Sequence, residues 1–511
     1  MPSRKKATST KHKASLLDRI FLPGWLELLL ILIFLVRLPS LFEPFYYGDE
    51  MIYLTLGNAI RQGVVLYQGI HDNKPPLLYF LASLAGNVFW FRAILAAWMM
   101  ATTIAFWKLT SVLYPKKQRF QIIATVVFAI LTTLPLLEGQ IANAEVFMIG
   151  PTIVAFYLLL SRKLSTRLVF FAGILLSIAT LFKVPAAFDL LAVVFLWVIT
   201  LFSKNPKWGD FFRTVAVLTA GFLVPLGISF IWYWSRGALN DYFVAAFLQN
   251  VGYLSSQRVG SIIQQEPFLV RNGPILFRGI VMGTGLFTLL LLRNRLSKQF
   301  VFACAWLLVG LFAVTLSERP YPHYFIQVVP SIALLAGMLG TLETIEQSLT
   351  IIPLSLVLLV AVHFKFWYYP SLPYFTRFMQ FATGTLSQEE YFTTFDKNVN
   401  RNYKLAKFLI STSKQKETVF IWGDSAPIYA LSDKLPPMKY IATYHINDFS
   451  SKESVIKTLT TTSPEFIIIL PGSDSFPQLT EFVRKSYMLI HTIDEADVWK
   501  LIPPRTTSLF L

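Results

Sequence analysis

The chain has 511 residues, of which 54% are hydrophobic and only 14% are charged, whereas a typical soluble domain is about 25% charged. Apolar runs of about 18 or more residues recur along most of the chain, which excludes a soluble globular protein and predicts a polytopic membrane protein. The net charge of +16 is spread over short loops and forms no basic-aromatic module, so a nucleic-acid-binding function is excluded as well.

The N-terminal segment, residues 1–23, is basic and is predicted to be cytoplasmic. It runs into an apolar stretch at about 24–42 and lacks the short apolar core and small-residue cleavage site of a signal peptide. We therefore expect a retained first span with the following loop outside the cell. The single cysteine, Cys304, cannot form an intrachain disulfide.

The next loop, residues 43–76, carries the densest group of polar side chains between apolar runs. Asp49 and Glu50 follow the first span, and the cluster His-Asp-Asn-Lys-Pro-Pro occupies 71–76. Because charge is costly in hydrocarbon, these groups should face water, protein or a ligand. The apolar spacing from Met51 to Gln62 predicts a short amphipathic helix in the membrane interface. Its dipole favours ionised carboxylates in the first turn.

Short basic loops set the predicted orientation of the spans. Placing all of them in the cytoplasm gives about eleven, and at most thirteen, transmembrane helices, with residues 77–89 in a lengthened or broken second span. The predicted fold is a polytopic α-helical membrane domain over residues 24–370. The basic loops are 115–119, 162–167, 204–213 and 293–298.

The loops on the opposite, extracytoplasmic side collect the candidate chemistry. They hold the acids and most of the histidines outside the apolar runs, and the isolated Lys183 falls in a turn on the same side. The candidate site should therefore face the outside of the membrane. The extracytoplasmic loops are 43–76, 138–145, 235–273 and 317–324.

The last part of the chain has a different character. Residues 371–397 are predicted to be a linker and residues 398–511 a small extracytoplasmic α/β domain. Apolar stretches bounded by turn residues are typical of buried strands. The expected elements are strands at 418–423 and 464–470 and helices at 401–411 and 452–460.

The ordered motifs of the membrane part resemble the protein O-mannosyltransferase superfamily, whose bacterial relatives include the lipid A aminoarabinose transferases. The resemblance covers residues 20–345. It rests on the acidic pair after the first span, on Lys74-Pro75-Pro76, on Glu145 in the second outer loop, and on Tyr-Pro-His-Tyr at 321–324. Members are GT-C glycosyltransferases of the membrane. The resemblance implies a polyprenyl-phosphate sugar as donor, an extracytoplasmic lipid, glycan or protein as acceptor, and a place in the plasma (inner) membrane.

The resemblance also implies roles for individual residues. The acceptor hydroxyl loses a proton as it attacks the anomeric carbon, and a carboxylate within reach can accept that proton. Asp49 matches the family's catalytic acid and Glu50 is the second choice. Glu145 matches an acid that orients the base or the acceptor, and Lys74 would neutralise the leaving phosphate. The other predicted substrate-binding residues are Tyr53, His71, Asp72, Lys183, Arg319, Tyr321, His323 and Tyr324.

Two positions depart from the family pattern, and the sequence does not decide whether a divalent cation is used. Val184 stands where relatives often carry glycine, and Asn73 stands where an acid usually precedes the lysine, a role that Asp72 could take. No cofactor and no metal-ligand motif is predicted. A divalent cation, Mg²⁺ or Mn²⁺, held by the three catalytic acids through their oxygens is the alternative.

Two other functions fit the composition. A flippase or transporter for lipid-linked sugars should show broken-helix pairs in matching halves or ionisable residues near mid-span, whereas the charges here gather at one face. A polysaccharide polymerase or ligase would use a lipid-diphosphate donor instead. Taken singly, each charged residue is as well explained by solvation or snorkelling. Their order and shared side favour the glycosyltransferase.

Overall fold

The structure, a computed structural model, describes residues 22–161, 164–202, 207–249, 267–317, 319–341, 343–414, 417–424 and 426–502. Most of the predicted segment 1–23 and the middle of the predicted outer loop 235–273 lie outside these residues.

The α-helices are α1 (Gly24–Arg37), α2 (Gly48–Arg61), α3 (Leu77–Ala85), α4 (Val88–Leu113), α5 (Gln118–Thr133), α6 (Ala144–Leu159), α7 (Thr166–Phe182), α8 (Asp189–Leu201), α9 (Trp208–Ser235), α10 (Leu239–Phe243), α11 (Phe268–Leu292), α12 (Lys298–Thr315), α13 (Val329–Thr341), α14 (Ile345–Leu349), α15 (Ile351–His363), α16 (Ser371–Ala382), α17 (Gln388–Thr393), α18 (Val399–Thr412), α19 (Ala426–Ser432), α20 (Thr443–Phe449), α21 (Lys452–Thr462) and α22 (Pro477–Ser486). The strands are β1 (Val419–Trp422), β2 (Phe466–Ile469), β3 (Tyr487–Ile493) and β4 (Ala496–Leu501).

Helices make up most of the described chain, and many of them are long and apolar. Several carry large apolar side chains that are exposed, such as Ile231 at 64%, Phe277 at 67% and Val362 at 76%, and a bilayer would cover them. The predicted class, a polytopic helical membrane protein, is confirmed, while the number of spans stays a prediction. Within the described ranges, eight stretches are long and apolar enough to cross a membrane: Gly24–Phe42, Val88–Leu113, Val184–Leu201, Trp208–Ser235, Asn272–Leu292, Lys298–Thr315, Pro322–Thr341 and Ile345–His363.

The two predicted kinds of loop lie at opposite ends of the helices. Leu113, the last residue of α4, accepts a hydrogen bond at 3.3 Å from the Nε2 of Gln299 in the first turn of α12. The basic loops 115–119 and 293–298 therefore meet at one end. α12 then runs to the other end, where the loop 317–324 follows it.

The second apolar run is broken into two helices, α3 and α4. Gly86 ends α3 with φ at 74°, in the left-handed region that glycine adopts without strain. Asn87 then caps α4, because its side-chain oxygen accepts the Trp90 N–H at 3.0 Å. The predicted lengthened or broken second span is thus a broken one.

The helix α2 is not the interfacial helix that the sequence predicted. Its ten residues from Glu50 to Ala59 are all buried, because it packs between α3 of the membrane part and α19 of the C-terminal domain. Gly57 allows the close approach to α3, since a Cβ there would lie 2.6 Å from the backbone nitrogen of Ser83. The amphipathic pattern was real, but protein covers both faces of the helix.

The C-terminal domain is α/β, with its strands in the order β1–β2–β4–β3. β1 and β2 are parallel, and the other two pairs are antiparallel. Both predicted strands and both predicted helices are present. The hairpin β3–β4 was missed, because its turn, Asp494-Glu495 with φ of 42° and 65°, lacks the glycine that usually marks a left-handed turn.

Residues 371–397, predicted as a linker, contain the helices α16 and α17. The hydroxyl of Tyr374 on α16 donates a hydrogen bond to Glu43 Oε1 at 2.5 Å. Tyr391 and Phe392 of α17 pack with Tyr46 in a small apolar cluster. This segment therefore holds the first outer loop against the C-terminal domain.

Candidate active site

Asp49 and Lys74 come together at the start of α2. The Nζ of Lys74 lies 3.6 Å from the Oδ2 of Asp49, and the hydroxyl of Tyr53, one helical turn on, donates to the same oxygen at 3.1 Å. The Asp49 side chain is 39% exposed and the Lys74 side chain 20%. The structure thus brings the predicted base and the predicted phosphate-binding cation within reach of one ligand.

Two tyrosines fix the backbone that carries Lys74. Tyr67 donates its hydroxyl to the Lys74 carbonyl at 2.8 Å, and the Lys74 N–H donates to the Tyr79 hydroxyl at 3.1 Å. Tyr79 in turn donates to Asp72 Oδ2 at 2.7 Å, an oxygen that is also 3.9 Å from Lys74 Nζ. Asp72 therefore lies beside the lysine although Asn73 separates them in sequence.

Glu50, the neighbour of Asp49, is buried and fully paired. Its carboxylate accepts the Nε–H and Nη2–H of Arg92 at 3.0 and 2.6 Å and the backbone N–H of Ala142 at 3.2 Å. Arg92 also contacts Glu43 Oε2 at 2.7 Å, and the side chains of this ion pair have no exposed surface. The two adjacent acids therefore face different environments.

A second ion-pair group lies around Glu145, at the start of α6. Glu145 is paired with Lys183 at the end of α7, and the Nζ of Lys183 lies 3.7 Å from the centre of the Tyr324 ring, a cation–π contact. His323 joins this group, with its Nε2 3.7 Å from Glu145 and its Nδ1 in contact with Glu138. Four predicted residues thus meet with Glu138, which the sequence analysis had not singled out.

Electrostatics keep Asp49 ionised. Burial would raise the pKa of this carboxyl, but the charges of Lys74 and His323 and the hydrogen bond from Tyr53 outweigh it, so the pKa of Asp49 lies below its ordinary value. Asp49 is consequently a carboxylate at neutral pH. A carboxylate with part of its surface exposed is able to accept a proton from a bound hydroxyl group.

The C-terminal domain contributes two side chains that the sequence did not reveal, Tyr444 and His445 on α20. The Nε2 of His445 lies 3.9 Å from Asp72. Burial and the nearby carboxylates of Asp49 and Asp72 raise the pKa of Tyr444 well above its ordinary value. The short helices of this domain contain no recognisable sequence motif, so only the folded structure shows that Tyr444 and His445 lie near Asp72.

The remaining predicted residues occupy the edges of the site. His71 is buried against Tyr440 and Phe449 of the C-terminal domain, and burial lowers its pKa to about 4, so it is neutral at physiological pH. Tyr321 stacks on the ring of His323 with centroids 5.6 Å apart. Arg319 lies on the exposed part of its loop.

The predicted acids are not arranged as a preformed metal site in the part of the chain that the structure describes. In the ranges that the structure describes, no group of three His, Cys, Asp or Glu side chains is placed to hold an ion. Glu50 and Glu145 are each engaged by a cationic side chain. A divalent cation shared with Asp49 therefore stays a prediction from the sequence.

Comparison with known proteins places the fold. No protein-family model and no curated protein sequence matches the chain. The crystal structure of ArnT from Cupriavidus metallidurans bound to undecaprenyl phosphate is similar, with a TM-score of 0.55 and 13% identity over 94% of this chain and 98% of that chain. ArnT in the apo state gives a TM-score of 0.50 and 13% identity over 93% and 97%.

A third similar structure is the archaeal oligosaccharyltransferase AglB from Archaeoglobus fulgidus, in complex with an inhibitory peptide and a dolichol-phosphate. It has a TM-score of 0.47 and 13% identity over 89% of this chain and 70% of that chain. ArnT, a lipid A aminoarabinose transferase, is a GT-C membrane glycosyltransferase. The likeness to ArnT confirms the GT-C fold that the sequence motifs predicted.

Proposed function

We propose that this protein is an integral-membrane glycosyltransferase that moves a sugar from a polyprenyl phosphate to an extracytoplasmic acceptor. The observation that carries the proposal is the distance of 3.6 Å between Asp49 Oδ2 and Lys74 Nζ, at the helix ends opposite the basic loops. A base and a cation this close can act on the two ends of one transfer reaction. ArnT, which has the same fold, is bound to undecaprenyl phosphate in its crystal structure, and this supports the donor class.

In the proposed reaction, the acceptor oxygen forms a bond to the anomeric carbon while the bond from that carbon to the phosphate oxygen breaks. The carboxylate of Asp49 accepts the acceptor's proton. Lys74 and Lys183 neutralise the charge that develops on the departing polyprenyl phosphate. Tyr53 orients the base through its hydrogen bond, and Glu145 orients Lys183.

Glu50 has a different role in this proposal. Both of its oxygens are engaged by Arg92, so it is less suited than Asp49 to accept a proton from the substrate. We assign it as a positioning residue that fixes the start of α2. Arg92 links α2 to α4, and thereby sets the height of Asp49 relative to the membrane domain.

The proposal also includes the side of the membrane on which the site lies. The basic loops lie in the cytoplasm under the positive-inside rule, so the site and the C-terminal domain face the extracytoplasmic side of the plasma (inner) membrane. The transferred sugar, hexose or pentose, is a separate question. It depends on the donor pocket between Lys74 and Lys183.

A transfer assay with the purified protein in nanodiscs tests the proposal. Polyprenyl phosphates carrying radiolabelled hexoses and pentoses are the donors, and an extract of cell-envelope material supplies acceptors. We expect label to move to acceptor material, and Asp49→Asn to abolish the movement. Asp433→Asn, at a surface aspartate that lies 3.8 Å from Arg61, is the matched control and should retain it.

Two results would contradict the proposal. Passage of the intact donor across a vesicle membrane without cleavage would indicate a flippase. Use of a lipid-diphosphate donor alone would indicate a polymerase or ligase.

A further inference from the structure

A polar cleft of about 800 Å³ opens beside Gly48, between the first outer loop and the C-terminal domain. Gly48, the residue before Asp49, forms part of one wall, and the loops after β1 and β2 form another. The volume lies in the range of ~300–1,000 Å³ that is usual for ligand sites. The mechanism proposed above uses none of the cleft's other residues.

The position of the cleft in the sheet favours ligand binding. β1 and β2 are parallel, and the cleft lies at their carboxyl ends, where Asp424 and Asp474 follow the strands. In open α/β sheets, ligands bind at this edge. The backbone N–H of Tyr444 donates to Asp424 Oδ1 at 3.1 Å, so α20 links the cleft to the pocket of Asp49.

The charge of the cleft differs from that of the donor pocket. Its wall contains five carboxylates and two cationic side chains, whereas at the place proposed for the donor phosphate Lys74 and Lys183 face the carboxylates of Asp49, Asp72 and Glu145, so the cleft has the larger excess of carboxylates. Carboxylates are strong acceptors for hydroxyl groups, and they repel phosphates. The carboxylates are Asp396, Asp424, Asp474, Asp494 and Glu495, and the cations are Lys397 and Arg401.

A peptide fits this cleft less well than a sugar chain. Extended peptides are held by pairing with a free strand edge or by apolar pockets. The outer edge of β1 is occupied, because Val419 N–H donates to Leu435 O at 3.1 Å and Ile421 N–H to the Tyr429 hydroxyl at 3.0 Å. Most of the lining residues are polar or charged.

We infer that this cleft binds the acceptor, and that the acceptor is a neutral, hydroxyl-rich saccharide. The inference rests on the proposed function and narrows it. A saccharide in the cleft would extend past Gly48 and present one hydroxyl to Asp49. That hydroxyl would lose its proton to the carboxylate, its oxygen would bond to the anomeric carbon, and polyprenyl phosphate would leave.

Binding of the full-length protein in nanodiscs to an array tests the inference. The array carries neutral oligosaccharides, their phosphorylated counterparts, and peptides containing Ser and Thr. We expect binding to neutral oligosaccharides, weakened roughly tenfold in the double variant Asp424→Asn/Asp474→Asn, because two charge-assisted acceptors are replaced by amides. Glu481→Gln, at an exposed acid of α22 outside the cleft, should bind as the parent protein does.

Three results would overturn the inference: preference for phosphorylated oligosaccharides or for peptides, equal binding by the double variant, or no binding to any neutral oligosaccharide. Binding of undecaprenyl phosphate is measured in parallel. It should be the same in the parent protein and in the double variant. Its absence from the parent protein would count against the proposed function, independently of the acceptor.

Discussion

Two clusters of ion pairs lie side by side in this protein, and they differ in exposure. The closed cluster consists of Glu43, Glu50 and Arg92, whose paired side chains have no exposed surface. The open cluster contains Asp49 and Lys74, at 39% and 20% exposure. Asp49 and Glu50, although adjacent, are thus suited to different roles. A carboxylate must be accessible to a substrate to act on it, and burial with full pairing removes that access from Glu50.

The largest effect is expected from breaking the closed cluster. Arg92→Leu leaves Glu43 and Glu50 buried without a cation, which should cost about 3–5 kcal/mol of stability. The melting temperature in detergent should fall strongly, and Arg213→Leu, at an exposed arginine of α9, should leave it nearly unchanged. Equal melting of both variants would show that the closed cluster is not a structural element.

Removing the cation of the second ion-pair group should affect both chemistry and folding, because the side chain of Glu145 is only 2% exposed and would lose its cation. Lys183→Met removes charge near the departing phosphate and should lower kcat/KM by roughly 10²–10³-fold, as loss of one transition-state donor does elsewhere. Lys183→Arg should recover part of the rate. Lys298→Met, at an exposed lysine near the basic loops, is the control. A parent-like rate for Lys183→Met would remove Lys183 from the proposed site.

A smaller and more specific effect concerns pH. The Tyr53 hydroxyl helps to lower the pKa of Asp49, and a base loses activity as the pH falls through its pKa. Tyr53→Phe should therefore raise the pKa of Asp49 and move the acid limb of the kcat–pH profile to higher pH. The rate at neutral pH should fall roughly two- to tenfold.

Tyr368→Phe, at an exposed tyrosine, provides the matched control for this profile. Its acid limb should coincide with that of the parent enzyme. An unmoved acid limb in Tyr53→Phe would mean that the limb reports a group other than Asp49.

The comparison of the two clusters also shows how far the sequence could lead. Motif order and loop charge predicted that Asp49 and Lys74 would face one ligand, because both lie in one short outer loop. The family resemblance ranked Asp49 before Glu50, but loop charge and spacing gave no physical reason for that order. The partner that distinguishes them, Arg92, lies 42 positions away in an apolar run.

Contacts with the C-terminal domain could not be predicted from the sequence for a similar reason. The pattern of α2 indicated one polar face, which is typical of an interfacial helix, but the face is covered by α19. Tyr444 and His445 lie on a seven-residue helix that carries no catalytic motif. Such contacts depend on long-range packing, which the local spacing of residues along the chain does not predict.

The central claim is that Asp49 performs chemistry while Glu50 maintains structure. The most direct test measures sugar transfer per folded molecule in Asp49→Asn and Glu50→Gln, with melting temperatures taken from the same samples. Asp49→Asn should melt near the parent protein but transfer about 10²–10⁴-fold more slowly, the usual range for a lost general base. Glu50→Gln should melt lower, and its transfer per folded molecule should fall far less than that of Asp49→Asn, because it positions the base and does not accept the proton. The reverse pattern, with transfer abolished only in Glu50→Gln, would contradict the assignment of the base.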